Sequence, residues 1–366
     1  MSGISSRAVR FRVRALRRIQ RLLIGPIGAA IPGPGWVRSV VERLSEPRVA
    51  HHVVQTWTRT PATIEYYDFP SSFPPYFRRT KAFDERHAYR LRDVMVSPNS
   101  GLVWLPRGPV LAESYGSLIR MLGWGDVRAE LLMHADSLSG SVIPFPRMPY
   151  YHWLLEIVPS ALFSLGVSPK SSVLLSPGSP RYAIEGAERV APGRVIFAGG
   201  VCRVEECIVA AREPLPGFIK RTEIERIREF FSEDRRNAEG PRRVYVSRRR
   251  DGARALANEN DIEEAMHEQG IAVVYPQDLS LRDQMQLFAS VELVVAPHGA
   301  GLANIVWGDR LRRVVEIFPA TYFNDCYARL SRMMNADYRY IDSYPDADSA
   351  GIVPMEQLLS LLRMHT

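Results

Sequence analysis

The sequence predicts an α/β protein built as two facing domains, each a sheet flanked by helices. Three observations predict it. From Arg243 onward, strand-length apolar runs alternate with amphipathic helical runs, the pattern of a parallel sheet with right-handed crossovers. Polar residues collect where those strands hand over to helices. Val244-Tyr245-Val246 runs into Ser247-Arg248-Arg249-Arg250, and Leu293-Val294-Val295-Ala296 runs into Pro297-His298-Gly299-Ala300-Gly301. The carboxyl ends of parallel strands face the ligand crevice of such sheets. Residues 100–210 show the same alternation, so a second unit of the same class precedes the first.

Residues 26–90 are rich in Pro, Gly and aromatics and read as irregular structure with short strands. Residues 101–105 and 129–133 read as strands, 151–165 as a helix containing Pro159, 172–176 as a strand and 182–190 as a helix. Strands at 195–198 and 202–210 follow, then a long polar helix over 221–235. Asn237-Ala238-Glu239-Gly240-Pro241 is the best linker. Beyond it, Asp261 and Glu264 form a capping box for a helix that Gly270 stops. A strand at 271–275 leads to a helix capped by Ser280 and Asp283, and then to strands at 292–296 and 314–318. The organisation expected is a basic segment over 1–40, a first domain over 41–236 and a second domain over 240–340. A tail over 341–366 follows, whose helix at 355–364 packs back across the cleft.

With 366 residues, 46% hydrophobic and 24% charged, the chain is long enough for two cores and is neither disordered nor fibrous. Three cysteines, Cys202, Cys207 and Cys326, fit neither a disulfide framework nor a Cys-x-x-Cys metal site, and a reducing compartment is the easier reading. The net charge of +7 concentrates at the start, where seven arginines from Arg7 to Arg21 interleave with apolar residues and no acid. Residues 7–24 read either as a basic amphipathic helix lying on an anionic membrane or as a solvated basic tail. The balanced remainder, without an aromatic-basic platform, argues against nucleic acid as a partner.

His298-Gly299-Ala300-Gly301 follows a buried-type strand and opens a short helix through Asn304. Glycines let the backbone approach a ligand, and a helix start offers amides and a positive dipole end to a pyrophosphate. Ser247 and Arg248 end a strand of the same sheet, where a guanidinium can clamp phosphate oxygens in pairs. Glu316 ends a further strand, placed to accept hydrogen bonds from ribose hydroxyls. In the first unit, His152 and Glu156 stand four apart on a helix and share one face, a plausible base for deprotonating a hydroxyl or a satisfied buried pair. The His-Gly-Ala-Gly turn is shared with esterase oxyanion loops, but those need a Gly-x-Ser-x-Gly elbow that the chain lacks. Asp346-Ala347-Asp348 spells a metal-type Asp-x-Asp and reads instead as a solvated turn.

The ordered set is specific where each motif alone is weak: His152-Trp153-Leu154-x-Glu156, Ser247-Arg248, Arg254, Asn258-Glu259, Gln284, His298-Gly299-Ala300-Gly301-Leu302-x-Asn304 and Glu316-Ile317-Phe318-Pro319. It resembles glycosyltransferase family 61 over roughly residues 95–335. Ala303 departs from the family, which often carries a hydroxyl there. The resemblance implies a GT-B fold of two Rossmann-like domains, an inverting and metal-independent transfer, and no cofactor beyond the nucleotide-sugar substrate. Glu156 and His152 would be the catalytic pair. Ser247, Arg248, Arg254, Asn258, Glu259, His298, Gly299, Ala300, Gly301, Asn304 and Glu316 would bind the donor. The acceptor implied is a glycan or lipid-linked oligosaccharide of bacterial surface polysaccharide synthesis, handled in the cytoplasm or at the inner membrane face. The reading from another class is a non-catalytic nucleotide-sugar-binding scaffold subunit of a polysaccharide assembly complex.

Overall fold

The computed structural model describes residues 37–38, 51–106, 110–111, 114, 135–213, 217–249, 256–319, 322–345 and 351–362. The basic segment at 7–24, Arg250, Arg254, Asp346, Asp348 and the strand expected at 129–133 lie outside the described residues. No described helix is long and apolar enough to cross a membrane.

Two sheets form the frame, and the mixed α/β class is as expected. The first has nine strands: β1 (Val37–Arg38), β2 (Val53–Thr60), β5 (Arg86–Val96), β6 (Val103–Trp104), β7 (Val110–Leu111), β8 (Ala135–Pro144), β9 (Ser172–Leu175), β10 (Val195–Phe197) and β11 (Val201–Ala210). Strands β3 (Thr63–Tyr66) and β4 (Thr80–Phe83) form a separate hairpin. The first sheet runs β1-β7-β6-β5-β11-β8-β9-β10, with β2 beside β5. Its β11-β8-β9-β10 portion is parallel, whereas β5 joins β11 and β2 in antiparallel pairs. The N-terminal region is thus more regular than its Pro- and aromatic-rich sequence suggests, because β5 carries long antiparallel ladders on both edges.

The second sheet is parallel throughout: β12 (Arg243–Val246), β13 (Ala272–Val274), β14 (Leu293–Pro297), β15 (Arg313–Phe318) and β16 (Asp337–Asp342), in the order β13-β12-β14-β15-β16. This is the doubly wound order 2-1-3-4-5, in which chain direction across the sheet reverses between β12 and β14. Its strands read as near-continuous apolar runs because both faces are covered.

The helices divide between the sheets. Helix α1 opens at Tyr150–His152, widens into a π-helical turn at Trp153–Ile157 and completes at Val158–Val167. α2 (Arg181–Val190) and α3 (Arg221–Phe230) follow it. In the second half lie α4 (Glu259–Glu268), α5 (Leu281–Ser290), a 3-10 helix (Ala300–Trp307), α6 (Cys326–Met333) and α7 (Met355–Leu362). Ser280 caps α5 as expected, accepting from the Asp283 amide at 3.0 Å. The capping box at Asp261 and Glu264 does not form: α4 already begins at Glu259, which places Asp261 within its first turn. Gly270 does stop α4, at a φ of 65° that glycine adopts freely.

One apolar cluster runs through both halves, joining Trp153, Leu154 and Ile227 to Val246, Leu281, Ile305 and Trp307. Polar ties reinforce the seam: Asp309 takes Arg228 at 2.8 Å and Arg235 at 3.2 Å, and Glu185 accepts from the Leu281 amide at 2.6 Å. Helix α7 does not return across this seam. Leu358 and Leu362 are buried with Tyr245, Ile262 and Ile341 on the second sheet's own core, because its apolar stripe finds an uncovered sheet face there.

The α1–α2 contact depends on a missing side chain. A Cβ at Gly186 would collide with the Trp153 indole, which is fully buried. Gly186→Ala is therefore expected to destabilise by ~1–3 kcal/mol, the usual cost of overpacking, in urea melts. Gly166, with open space around its Cα, is the control: Gly166→Ala should be neutral or stabilising.

Candidate donor and catalytic site

A cavity of about 180 Å³ opens at the point where strand order reverses, between the carboxyl ends of β12 and β14. Its floor is Val246, Ser247 and Arg248 on one side and Pro297, Gly299, Ala300 and Gly301 on the other. Pro276, Gln277 and Gln284 close the β13 side, and Tyr150 and Tyr182 reach in from the first half. Crevices at this topological position are where open parallel sheets hold ligands.

Arg248 crosses the cavity mouth. Its Nη1 donates to the His298 carbonyl at 2.6 Å, and a Cβ at Gly299 would occupy the space its guanidinium fills. A Cβ at Gly301 would meet Val246 at 2.9 Å, so both glycines serve close approach between two strand ends. The arginine run divides its work: Arg249 turns away and pairs with Glu263 at 3.2 Å, which leaves Arg248 as the described cation at the cavity.

The end of β12 is held by two carboxylates four apart on α4. Glu259 accepts from the Tyr245 hydroxyl at 2.7 Å, the Ser247 hydroxyl at 3.0 Å and the Arg248 amide at 3.2 Å. Glu263 accepts from Ser247 at 2.6 Å and from the Tyr275 hydroxyl at 2.8 Å. Burial pushes the Glu263 carboxyl up, but hydrogen bonds from Ser247, Tyr275 and Arg249 outweigh it and hold it below its ordinary 4.5. The carboxylates therefore position Ser247 and Arg248 rather than meet a donor themselves. Asn258 lies away from the cavity: its amide donates to the Val353 carbonyl at 2.9 Å and accepts from the Val353 amide at 3.0 Å, clamping the chain ahead of α7.

Asn304 lines the cavity yet is fully buried and saturated. Its Oδ1 accepts from the Tyr150 hydroxyl at 2.6 Å, and its Nδ2 donates to Gln284 at 3.1 Å and to the Gly301 carbonyl at 3.2 Å. The Trp307 indole donates to Tyr150 at 3.4 Å. Ala303, the departure from the family pattern, is buried in the core and faces away from the cavity, so the missing hydroxyl removes no contact there.

His298 and Glu316 form a buried pair on the far side of the turn. Nδ1 of His298 bonds Oε1 of Glu316, while the Tyr338 hydroxyl donates to Oε2 at 2.5 Å. Burial and the neighbouring Glu316 keep the Tyr338 phenol well above its usual range, so it stays protonated to donate. This corrects the placement of Glu316. It sits mid-strand in β15, wholly buried, with both oxygens committed, and is not offered at a strand end to a ribose.

In the first half, His152 Nδ1 and Glu156 Oε1 lie 2.6 Å apart within the π-helical turn. The Glu156 side chain is 4% exposed and that of His152 17%, so the carboxylate sits inward and the imidazole is the more exposed of the two, with Nε2 left over from the bond to Glu156. Aromatic rings connect the two His–Glu pairs. His152 contacts Tyr151 at 5.3 Å, Tyr151 contacts Tyr327 at 5.4 Å, and Tyr327 contacts His298 at 5.1 Å between centroids.

Of the expected site residues, Ser247, Arg248, Gly299, Ala300, Gly301 and Asn304 meet at the cavity, and His298 touches it only through its carbonyl, which accepts from Arg248. Glu259 supports it from behind, Asn258 and Glu316 stand apart, and Arg254 is outside the described residues. Tyr150 and Tyr182 were missed. The signal for Tyr150 is the aromatic run beside His152, whereas Tyr182 stands alone at the start of α2, and nothing in a single sequence says which half's cleft a tyrosine enters.

Two comparisons bear on this geometry. No curated protein matches the chain. Residues 150–315 match the family model described as Glycosyltransferase 61, a stretch that starts at Tyr150, spans the seam and ends inside β15. The resemblance drawn from the ordered motifs is thereby supported from an independent direction.

The Glu263 network gives a pH test. A carboxyl held low stabilises the fold above its unfolded value, and that stabilisation is lost as pH falls through its folded value. Wild type should exceed Glu263→Gln in urea stability at pH 7, and the gap should close below about pH 4.5, the ordinary value. A gap independent of pH would mean the carboxylate charge contributes nothing.

Proposed function

The chain carries a glycosyltransferase 61 domain over residues 150–315, and from that premise we propose a metal-independent, inverting transfer of a sugar from a nucleotide-sugar to a glycan hydroxyl. The two halves act as the facing domains of a GT-B enzyme, the second half holding the donor and the first the acceptor and the base. Residues 41–236 and 240–340 are the corresponding units, joined at the turn around Gly240. One observation carries the reading. The first turn of α1 sends Tyr150 into the cavity and also carries His152, bonded to Glu156 one turn on, while Tyr151 between them touches Tyr327 of the other half.

In this mechanism the donor pyrophosphate lies against Arg248 and the amides that open the 3-10 helix, where leaving-group charge develops. Tyr150 and Tyr182 wall the cavity with ring faces and edges suited to a nucleobase or ribose. His152 takes the acceptor proton as its hydroxyl attacks the anomeric carbon from the face opposite the leaving group. Glu156 fixes the imidazole tautomer and stabilises the imidazolium that forms. The acceptor is a lipid-linked or growing surface glycan of bacterial type, met in the cytoplasm at the inner membrane face. The basic stretch 7–24 provides electrostatic attraction to anionic lipid there.

Arg248→Ala should weaken nucleoside diphosphate binding about tenfold or more by calorimetry, the loss of a charge-assisted contact worth ~1.5–3 kcal/mol. Unchanged affinity would remove Arg248 from the donor site. EDTA should leave transfer intact, since arginine and helix amides carry the pyrophosphate in this scheme; strict manganese or magnesium dependence would contradict it.

His152→Ala should cut kcat ~10²–10⁴-fold with donor KM nearly unchanged. Glu156→Gln, which retains an acceptor for the Nδ1 proton, should cost less, and the double variant should be little worse than His152→Ala. Full activity in both single variants would make the pair structural.

A further inference from the structure

Beyond the donor cavity, the carboxyl edge of the second sheet continues into an aromatic surface that the transfer scheme does not use. Ring contacts lead outward from His298 to Tyr322 at 5.1 Å and to Phe318 at 5.7 Å, from Phe318 to Phe323 at 4.8 Å, and from Phe323 to Tyr76 at 4.6 Å. The inner members are buried, but Tyr76 is 50% exposed, Tyr322 43% and Phe323 40%. The surface straddles both halves. Tyr76 comes from the segment after the β3 strand, and it is pinned beside Phe323 because the Arg78 amide donates to the Asp325 carboxylate at 2.9 Å.

Solvent-facing rings at a two-sheet junction need a reason, since water penalises such clusters. Simple core packing does not supply one, because Phe73, Phe77 and Tyr340 already fill the layer beneath. The polar fringe supplies the clue. Asp342 stands two residues after Tyr340 on the same face of β16, Tyr76 hydrogen-bonds to Tyr340, and the Asn324 amide donates to the Tyr322 hydroxyl at 3.4 Å. A pyranose ring has the matching duality. Its axial C–H groups form an apolar face that packs on aromatic carbon, while its equatorial hydroxyls reach sideways to carboxylate, amide and phenol groups.

Sheet order fixes where such a sugar would lie. Carboxyl ends follow one another as β12 with Arg248, β14 with His298, then β15 with Phe318 and its following loop. The platform is therefore on the opposite side of the His298 turn from the donor cavity. Tyr151 and Tyr327 connect that turn to His152.

We infer that Tyr76, Tyr322 and Phe323 form an acceptor subsite that stacks a pyranose ring of the glycan receiving the sugar. The inference rests on the transferase reading for its occupant, but its chemistry is testable without turnover. The probe is a panel of methyl α- and β-glycosides of glucose, galactose, N-acetylglucosamine and xylose, read by saturation-transfer difference NMR on the full chain. At least one glycoside should receive saturation at its ring C–H protons, with apparent affinity falling about tenfold in Phe323→Ala and in Tyr76→Ala. Phe323→Trp should retain binding. Circular dichroism melts of both alanine variants separate a lost subsite from a lost fold, and Tyr76, the more exposed, is the safer probe. Binding by no glycoside, or equal binding in wild type and a folded Tyr76→Ala, overturns the subsite. A parallel nucleoside diphosphate thermal-shift series distinguishes the two readings. Nucleotide binding without glycoside binding sinks the platform alone, and glycoside binding without nucleotide binding sinks the donor assignment alone.

Discussion

The hydroxyl of Tyr150 crosses the seam between two sheets to reach Asn304, and much of the site depends on that one bond. Asn304 is wholly enclosed, so each of its amide atoms requires a partner; an unmade one would cost about 1–3 kcal/mol. Tyr150 supplies one partner from α1, and Gln284 and the Gly301 carbonyl supply the others from α5 and the turn. The phenol itself is pushed above its ordinary range by burial and so remains a donor at every physiological pH. Its ring stacks on Trp153 at 5.7 Å and meets Tyr182 edge-on at 5.0 Å. A single residue thereby ties α1 to the glycine turn.

Around that bond, buried carboxylates hold the groups that line or adjoin the cavity. Glu259 and Glu263 orient the end of β12 so that Ser247 is locked and Arg248 projects. Glu316 and Tyr338 hold His298 from the opposite flank, and Glu156 holds His152. In each case a buried carboxylate fixes a neighbour that faces the seam. Carboxylates are costly to bury without hydrogen bonds, and each of these has at least one oxygen on a named donor, Glu316 having both.

Four of the second sheet's five strands were legible in the sequence to within a residue or two, because they are apolar runs and their turns are marked by Pro, Gly and Ser; β16 was not, because its apolar residues alternate with Asp337, Arg339 and Asp342. Strand-end chemistry was equally legible: Arg248 and the Gly299–Gly301 turn meet where the alternation said they would. Parity was harder. Glu316 shares β15 with four buried apolar neighbours, and nothing in one sequence distinguishes a carboxylate at the rim from one turned onto a histidine within the sheet. The capping pattern at Asp261 misled because Glu259 is drawn into the helix by its bonds to Tyr245 and Ser247, which are long-range contacts. The tail helix was misplaced for a similar reason. Leu358 and Leu362 give an apolar stripe but not the face that receives it.

The central claim is that the β12–β14 crevice, walled by Tyr150 from the other half, binds the nucleotide part of a donor. Hydrogen–deuterium exchange by mass spectrometry, with and without saturating uridine, guanosine, cytidine or thymidine diphosphate, tests it most directly. At least one nucleotide should slow exchange together in residues 246–249, in 298–304 and in 150–157 across the seam. Protection confined to any other part of the chain, or absent with all four, would contradict the account.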